Sequence, residues 1–373
     1  MKVRFIALIV AICCTPALSA QDEKSPSKDE KSPSKEEKNP YKHVDNDVRL
    51  AALRNAQVWM PGNVASRNLK LGPQDQSSFR PEAVVTCDYV EQKQTGTPKF
   101  DCAISGDDKV RVKYGDQNGE VYSEVAASRL LWALGFGADH VYPVRVVCKG
   151  CPPDPMKNFK KAEGTREFDA SIVERKLPGE AIELHKDSGW AWVELSFVDQ
   201  TNGGAPLAHR DALKLLAAMI QHTDSKPQQQ RLVCLDKEHG LQPKKDGTCE
   251  HTFMMINDLG KTFGTTSMFN TDKKSAVNFE EWSKTPMWKD KDACVAHLSK
   301  SYTGSLEHPK ISEDGRKFLS ELLTQLTDQQ LRDLFEVARF TKREPNVSAD
   351  DWVRAFKQKR DEIASAHCTN PIL

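Results

Sequence analysis

An even set of cysteines limits the folds open to this chain more than any other feature. The sequence contains 10 cysteines, and eight remain when Cys13 and Cys14 of the amino-terminal apolar run are set aside. An even number of cysteines in an exported chain indicates disulfide bonds. The simplest pairing is sequential and joins Cys87 with Cys102, Cys148 with Cys151, Cys234 with Cys249, and Cys294 with Cys368. Other pairings stay open, because sequence spacing does not fix connectivity.

The amino terminus has the three parts of a secretory signal peptide. Residues 1–4 are basic, residues 5–14 form an apolar run too short to span a bilayer, and residues 17–20 are small. We therefore predict a signal peptide over residues 1–20 and a periplasmic or extracellular protein. The alternative, an uncleaved anchor, would need a longer apolar run. No later stretch is apolar enough to cross a membrane, so we predict no transmembrane span in the mature chain.

A charged repeat follows the predicted signal peptide. Residues 21–42 alternate acidic, basic, serine and proline residues, a composition that cannot bury enough apolar surface to fold. We predict a disordered, low-complexity linker there. The chain has 53 basic and 53 acidic residues and a formal net charge of zero, which argues against nucleic acid as a partner.

A lysine on a predicted strand is followed by a glutamate on a predicted helix. Residues 109–114 alternate polar with apolar or aromatic side chains, which is the period of a half-buried strand, and they include Lys113. Residues 120–134 have apolar side chains at helical spacing and are followed by a glycine, so they predict an amphipathic helix. Glu124 lies on this helix, and Glu120 at its start is the alternative partner for the lysine.

Two acidic motifs lie further along the chain. Residues 222–230 read His-Thr-Asp-Ser-Lys-Pro-Gln-Gln-Gln, and residues 256–260 read Ile-Asn-Asp-Leu-Gly. The first motif resembles the His-Arg-Asp-x-Lys-Pro-x-Asn catalytic loop of protein kinases position by position, and the second resembles their Asp-Phe-Gly motif. The lysine strand, the glutamate helix and the two motifs occur in the order found in kinases. Residues 84 to about 265 therefore resemble the protein-kinase-like superfamily.

The resemblance implies a nucleotide site. In it, Lys113, oriented by Glu124, holds the nucleotide phosphates. Gln229, which stands where kinases carry asparagine, and Asp258 bind the metal ion. The implied cofactors are ATP and Mg²⁺ or Mn²⁺, and the implied partners are a nucleotide and an unknown hydroxyl-bearing acceptor.

The resemblance also implies how an acceptor is treated, with some departures from typical kinases. Asp224 would orient or deprotonate the acceptor hydroxyl, and Lys226 would offset the charge of the transferred phosphoryl group. The turn at residues 94–100 contains one glycine instead of a glycine-rich loop, and it offers Lys99 as a phosphate contact. No Ala-Pro-Glu follows the second motif. The closer resemblance is therefore to atypical kinases, phosphoinositide-kinase-like and secretory-pathway-kinase-like, as an exported bacterial-type member.

The predicted fold is α+β, two-lobed and stapled by disulfides. Residues 84–200 are expected to form a small antiparallel-sheet lobe, and residues 201–373 a helical carboxyl-terminal lobe with the catalytic loop. Residues 43–83 are an amino-terminal extension that we expect to pack on the smaller lobe. Residues 174–177 end a predicted strand where, in a kinase, the adenine edge meets backbone groups; the alternative is an ordinary strand end.

The Cys-x-x-Cys of residues 148–151 has three possible interpretations. A zinc site would need a second close-spaced cysteine pair, and a thioredoxin-like motif should open a helix, whereas two prolines follow here. We therefore favour a structural disulfide.

Three functions stay open on the sequence. The first is an exported kinase-like phosphotransferase that moves the γ-phosphate of ATP to an unknown hydroxyl acceptor. The second is an inactive pseudokinase that binds a ligand or partner in the cell envelope, for which the glutamine at position 229 and the single-glycine turn argue. The third is a disulfide-stapled envelope protein whose kinase-like residues are coincidental.

Overall fold

Five strands close into a small barrel. In the computed structural model, which describes residues 39–185, 188–264 and 276–368, they are β1 (Ala83–Val90), β2 (Lys99–Ser105), β3 (Asp108–Tyr114), β4 (His140–Lys149) and β5 (Thr165–Arg175). Their order is β1-β2-β3-β5-β4, and parallel pairing of β1 with β4 closes the ring. The prediction of a small antiparallel sheet is wrong about this parallel pair and about the closed ring. Closure removes the two free edges that an open sheet would expose.

Alternation along the strands fills the barrel with side chains. In β1 the buried residues are Val85, Cys87 and Tyr89, each two positions from the next, so one face of the strand points inward. Phe100 of β2 and Val112 of β3 belong to the same buried cluster. The period-two pattern that predicted β3 therefore has its cause in this interior.

Four disulfides connect the cysteine pairs predicted from the sequence. The bonded pairs are Cys87–Cys102, Cys148–Cys151, Cys234–Cys249 and Cys294–Cys368. The Cα atoms of each pair lie 5.4–5.8 Å apart, within the usual range for a disulfide. The sequential pairing is confirmed, and it is compatible with an oxidising compartment.

Eight α-helices occur in the described residues. They are α1 (Asn46–Arg54), α2 (Glu120–Leu134), α3 (Leu207–Met219), α4 (Phe279–Lys284), α5 (Glu313–Thr324), α6 (Asp328–Val337), α7 (Phe340–Arg343) and α8 (Ala349–Ala364). Side-chain caps stabilise the starts of several helices. The Ser312 hydroxyl accepts a hydrogen bond from the Gly315 amide at the start of α5, and Thr327 and Gln330 form a capping box at α6. None of the described helices is both long and apolar enough to cross a membrane.

Helix α2 is buried along almost its whole length and ends at a glycine. Gly135 has a φ of 88°, a backbone conformation that residues other than glycine rarely adopt. A Cβ atom at this position would lie 2.3 Å from the Met60 carbonyl oxygen. The Trp59 indole also donates to the Leu134 carbonyl at 2.7 Å. The amino-terminal extension therefore holds the end of the helix that carries Glu124.

The apolar core does not divide where the sequence predicted two lobes to meet. Helix α2, residues 41–69 and the carboxyl-terminal helices share one buried cluster, and the barrel interior forms a second. Residues 43–69 contact helix α2, which lies within the predicted smaller lobe, and Arg129 of α2 donates to the Leu69 carbonyl at 2.7 Å. They also contact the carboxyl-terminal helices: Val64 and Leu69 lie in the larger cluster, and the Gln330 amide donates to the Val64 carbonyl at 2.9 Å.

The described part of the chain begins within the predicted linker. Residues 1–38, with the predicted signal peptide and most of the linker, lie outside the described residues. The linker boundary at residue 42 is wrong, because the Tyr41 side chain is 1% exposed and belongs to the larger cluster. The Glu183 amide also donates to the Tyr41 carbonyl at 2.9 Å. One aromatic residue among charged ones therefore marks where folded structure starts.

A second sheet carries the two acidic motifs. It contains β6 (Glu180–Ala181), β7 (Gln230–Cys234) and β8 (Thr252–Ile256) in antiparallel order β6-β7-β8, and a short pair, β9 (Trp288–Asp290) with β10 (Val295–Ala296), follows later. Gln230 pairs with Ile256, so both motifs leave the sheet at the same end. Cys234 pairs with Thr252 at the other end, where the disulfide to Cys249 closes the connection.

Candidate active site

A cleft of about 1220 Å³ brings together residues from the barrel and from the β6–β8 sheet. Small-molecule sites usually occupy about 300–1,000 Å³, so the cleft has room for a ligand of nucleotide size. Lys99 and Lys113 line it from the barrel, and Gln229 and Asp258 line it from the two acidic motifs. Four of the predicted site residues therefore face one cavity.

Lys113 is a buried cation among carboxylates. Its side chain is 2% exposed, and its Nζ forms an ion pair with Glu124 of α2. The same nitrogen lies 3.1 Å from Glu120 Oε2, 3.0 Å from Glu174 Oε1 and 3.6 Å from Asp258 Oδ2. The structure thus brings together the predicted lysine, the favoured glutamate and the alternative glutamate, and it adds Glu174 on β5.

The charges in this cluster shift three pKa values. Burial acts to lower the pKa of Lys113, but the surrounding carboxylates, Asp258 and Glu124 foremost, hold it well above its ordinary value. Burial, opposed by the Lys113 charge, raises the pKa of Glu124 well above its ordinary value. Burial also opposes ionisation of Asp258, yet Lys113 and the Gly260 amide lower its pKa. Asp258 is therefore ionised at neutral pH, and Glu124 takes up a proton more readily than an ordinary glutamate.

Helix α2 is attached directly to the Asp-Leu-Gly segment. The Ser123 hydroxyl donates to the Gly260 carbonyl at 2.8 Å, and the Gly260 amide donates to Asp258 Oδ1 at 3.0 Å. A Cβ atom at position 260 would lie 2.6 Å from Glu120 Cγ, closer than real Cβ contacts. Any other residue at position 260 would therefore displace the Glu120 side chain from its place beside Lys113.

Backbone contacts hold the loop at residues 222–229. The chain turns at Gln221, which adopts a left-handed conformation with a φ of 54°. The Thr223 amide then donates to the Lys261 carbonyl at 3.2 Å, and Pro227–Gln229 forms one 3-10 turn before β7. The loop is therefore fixed both to its own strand and to the segment that follows Asp-Leu-Gly.

Asp224 is anchored through one of its oxygens. Oδ2 accepts hydrogen bonds from Lys226 Nζ at 3.1 Å and from Gln229 Nε2 at 2.9 Å. Oδ1 accepts a hydrogen bond from Thr303 Oγ1 at 3.3 Å. A carboxylate with one oxygen anchored and the other beside a hydroxyl group is suited to orient that hydroxyl and take its proton. Gln229, which also lines the cleft, connects Asp224 to it.

The oxygen atoms near Asp258 suit a hard divalent cation. Carboxylate oxygens of Glu120, Glu124 and Asp258 lie within 4.8 Å of one another. The second oxygen of Glu124 is buried and has no hydrogen-bond partner among the described residues. Gln229 uses its amide nitrogen on Asp224, so its amide oxygen stays available. Oxygen donors of this kind are the ligands that Mg²⁺ and Mn²⁺ prefer, so the donor set fits such an ion.

The single-glycine turn reaches the carboxylate cluster. Gly96 has a φ of 84°, and the next residue, Thr97, donates from its hydroxyl to Glu120 Oε2 at 2.8 Å. Lys99 lies directly opposite Lys113 in the β2–β3 pairing and lines the cleft. A contact between Lys99 and a phosphate stays a prediction.

The segment expected to contact adenine has other partners. Glu174 pairs with Arg111 of β3 on one side and with Val141 of β4 on the other, and its side chain contacts Lys113. The Leu177 amide donates to Asp139 Oδ1 at 2.8 Å. Arg175 and Lys176, which lie between these two residues, line the cleft. A contact of this segment with adenine stays a prediction.

Two side chains of the site were not predicted in the places where the structure has them. Glu174 was assigned to the segment expected to meet adenine through backbone groups, but its side chain contacts Lys113. Its strand contains several other charged residues, so charge alone did not identify it. Thr303 gave no local signal, because 79 residues separate it from Asp224.

We expect His222 to make the protein sensitive to acid. Its side chain is 0% exposed, and neither ring nitrogen has a hydrogen-bond partner among the described residues. Burial lowers the pKa of His222 from 6.5 to about 4. The folded protein then binds fewer protons than the unfolded chain between these pH values, so stability falls as the pH falls through this window, by about 3 kcal/mol at most.

The test is urea unfolding of the wild type and of His222→Leu between pH 7.5 and pH 4. Asp139 acts in the opposite sense over much of this range, because burial raises its pKa to about 6. Only the difference between the two proteins therefore isolates His222. The free energy of unfolding of the wild type should fall relative to that of the variant as the pH falls. A difference that does not change with pH would contradict the assignment.

Comparisons with known proteins give likenesses to solved structures. No protein-family model and no curated protein matches the chain. Among solved structures, the chain is similar to the crystal structure of a Helicobacter pylori proinflammatory kinase, CtkA, with 10% sequence identity and a TM-score of 0.39. The alignment covers 77% of this chain and 95% of that chain. A likeness of this size carries no functional argument.

Proposed function

We propose that this protein is an exported, kinase-like phosphotransferase that moves the γ-phosphoryl group of ATP to a hydroxyl acceptor. One observation carries the proposal: a buried lysine, paired with a helix glutamate and with the aspartate of Asp-Leu-Gly, faces the same cleft as Gln229, which hydrogen-bonds Asp224. Phosphoryl transfer depends mainly on positioning and on neutralising charge, and this arrangement supplies groups for both.

Lys113 would contact the nucleotide phosphates. Its pKa is held well above the ordinary value, so the lysine is charged at neutral pH. Glu124 would keep the lysine directed into the cleft, since the two side chains form an ion pair. Phosphate oxygens entering the cleft would replace part of the carboxylate shell that now surrounds Lys113.

Asp224 would act on the acceptor. Lys226 and Gln229 bind one of its oxygens, which leaves the other for the acceptor hydroxyl. As the hydroxyl oxygen bonds to phosphorus, its proton passes to Asp224. Lys226, 3.1 Å from the same carboxylate, would offset negative charge on the transferred phosphoryl group.

Asp258 and the amide oxygen of Gln229 would hold Mg²⁺ or Mn²⁺, with Glu124 or Glu120 as further oxygen donors. Such an ion supplies charge neutralisation at the phosphates when bound. Asp258 is suited to this role because its lowered pKa keeps it ionised.

A second candidate function is an inactive envelope protein that binds a ligand or partner through the same cleft. The observation in its favour is the number of carboxylates around Lys113. Four carboxylates have an oxygen within 3.6 Å of its Nζ: Glu120, Glu124, Glu174 and Asp258. They would repel an anionic nucleotide that arrives without a metal ion.

Thermal unfolding with ATP and Mg²⁺ or Mn²⁺ tests the proposal. A ligand that binds only the folded protein stabilises it, by about 2.7 kcal/mol at 100 times its dissociation constant. We expect the melting temperature of the oxidised mature chain to rise with ATP and metal, and the rise to disappear with EDTA or in Asp258→Asn.

Glu180→Gln is the matched control, because Glu180 lines the same cleft but pairs with Lys237 at 3.2 Å. This variant should keep the ATP-dependent rise. A rise without formation of ADP or of a phosphorylated acceptor would favour the inactive binding protein. No rise in the wild type would contradict the phosphotransferase and would leave the second candidate with a ligand other than a nucleotide.

A further inference from the structure

The hydroxyl of Thr303 occupies the place beside Asp224 that an acceptor would take. Its Oγ1 donates to Asp224 Oδ1 at 3.3 Å, whereas Lys226 and Gln229 bind Oδ2. Thr303 therefore contacts the carboxylate oxygen that the proposed transfer needs for an acceptor. A hydroxyl on that oxygen is already oriented, and its proton has a base within reach.

The loop that carries Thr303 is fastened to the catalytic loop on both sides of it. Before Thr303, the Ser301 amide donates to the Thr223 carbonyl at 2.9 Å. After it, the Ser305 amide donates to the Ser225 hydroxyl at 3.2 Å, and the Ser305 hydroxyl donates to the Ser225 carbonyl at 2.6 Å. The position of Thr303 beside Asp224 is thus set by contacts that do not involve its own side chain.

The glycine after Thr303 allows this close approach. A Cβ atom at Gly304 would lie 2.6 Å from the Thr223 carbonyl oxygen, which is closer than real Cβ contacts. The loop at residues 301–306 can therefore lie against the loop at 222–226 only with glycine, or with a shift, at this position.

The hydroxyls on either side of Thr303 are placed differently. The Ser301 hydroxyl is buried and has no partner among the described residues, and the Ser305 hydroxyl is bonded to a carbonyl. Tyr302 is 91% exposed, so its side chain extends into solvent. Thr303 is itself exposed and hydrogen-bonds Asp224. Among these four residues it alone has its hydroxyl on the proposed base.

We infer that Thr303 is an acceptor within the same chain and becomes phosphorylated by the protein's own active site. This inference rests on the proposed function. In the step, Thr303 Oγ1 bonds to the γ-phosphorus of ATP, the bond from that phosphorus to the β–γ bridging oxygen breaks, and ADP leaves. The hydroxyl proton passes to Asp224. The product is phosphothreonine at position 303, and each chain can make it once.

The experiment is incubation of the oxidised mature chain with ATP and Mg²⁺ or Mn²⁺, followed by intact mass measurement and peptide mapping. We expect the mass of the chain to increase until each chain carries a single phosphoryl group, which peptide mapping should locate at Thr303. Because acceptor and base belong to one chain, the initial rate per chain should not change when the protein is diluted. Thr303→Val should lose the modification, Thr303→Ser should carry it on serine, and Tyr302→Phe should keep it on Thr303.

The outcomes separate this inference from the proposed function. ADP formation together with phosphate on other residues, or on none, would overturn the inference and leave the phosphotransferase intact. A rate per chain that falls on dilution would show transfer between chains and would also overturn it. If ATP and metal neither stabilise the wild type nor yield ADP, both the proposed function and the inference fail.

Discussion

Replacing Asp224 with asparagine is expected to lower phosphoryl transfer by about 10²- to 10⁴-fold, the usual contribution of a general base. The asparagine side chain is nearly the same size but cannot accept the hydroxyl proton. It also has one oxygen where Asp224 has two, and Asp224 uses both, one for Lys226 and Gln229 and the other for Thr303. The variant should therefore lose both proton transfer and part of the orientation of the acceptor.

Transfer and nucleotide binding must be measured separately in this variant. In the part of the chain that the structure describes, Gln229 joins Asp224 to the Lys113 cluster: its side-chain amide donates to Asp224, and its carbonyl accepts from the Asp258 amide at 3.2 Å. Because Asp224 itself does not contact Lys113, the ATP-dependent rise in melting temperature should persist in Asp224→Asn. The rate of ADP formation and of phosphate incorporation should fall. A variant that keeps the wild-type rate would show that Asp224 is not the base. A variant that loses the ATP-dependent rise as well would show that Asp224 acts in binding.

The pairing of Lys113 with Glu124 could be predicted because both parts of the pattern are local. Alternation over residues 109–114 and helical spacing over residues 120–134 predict the element and the face on which each side chain lies. The structure has β3 at Asp108–Tyr114 and α2 at Glu120–Leu134, close to these ranges. The order of the pieces along the chain then indicated which side chains should meet.

Closure of the barrel could not be predicted in the same way. The parallel pairing of β1 with β4 joins Ala83–Val90 with His140–Lys149, and nothing in the two strand sequences states whether they are neighbours. Alternation identifies a strand and its buried face, but partner and direction depend on contacts across the whole chain. For the same reason, the contact between Thr303 and Asp224 left no trace in the local pattern.

The contacts of the amino-terminal extension could be predicted only in part. Val58, Val64 and Leu69 are buried in the larger cluster, which contains helix α2 of the predicted smaller lobe and also the carboxyl-terminal helices. Apolar residues in a sequence indicate burial but do not show which elements they will contact. Tyr41 gives the same lesson at the end of the predicted linker, where one aromatic residue is buried among charged neighbours.

Replacing Lys113 with methionine is expected to lower the free energy of unfolding at neutral pH by about 3–5 kcal/mol and to abolish the ATP-dependent rise in melting temperature. The lysine is 2% exposed and serves as cation for a cluster in which Glu120 and Glu124 are 9% and 1% exposed. Without it, buried carboxylates lose their compensating charge and must either stay ionised at a large cost or take up protons.

The pH dependence of the Lys113→Met variant distinguishes this cause from a simple loss of packing. In the variant, the carboxylate pKa values rise above those of the unfolded chain, so the folded protein binds more protons and gains stability as the pH falls from 7 toward about 4. In the wild type, the lowered pKa of Asp258 works in the opposite direction, because its contribution is lost on acidification. The raised pKa of Glu124 comes mainly from burial and acts in the same direction in both proteins. The difference in free energy of unfolding between the wild type and Lys113→Met should therefore become smaller as the pH falls.

Lys109→Met is the control, because Lys109 is on the same strand at an exposed position. This substitution should change the free energy of unfolding little at any pH. Two results would show that the carboxylates around Lys113 are not the reason for its burial. One is an equal loss of free energy of unfolding in the two variants, and the other is a difference between Lys113→Met and the wild type that grows as the pH falls.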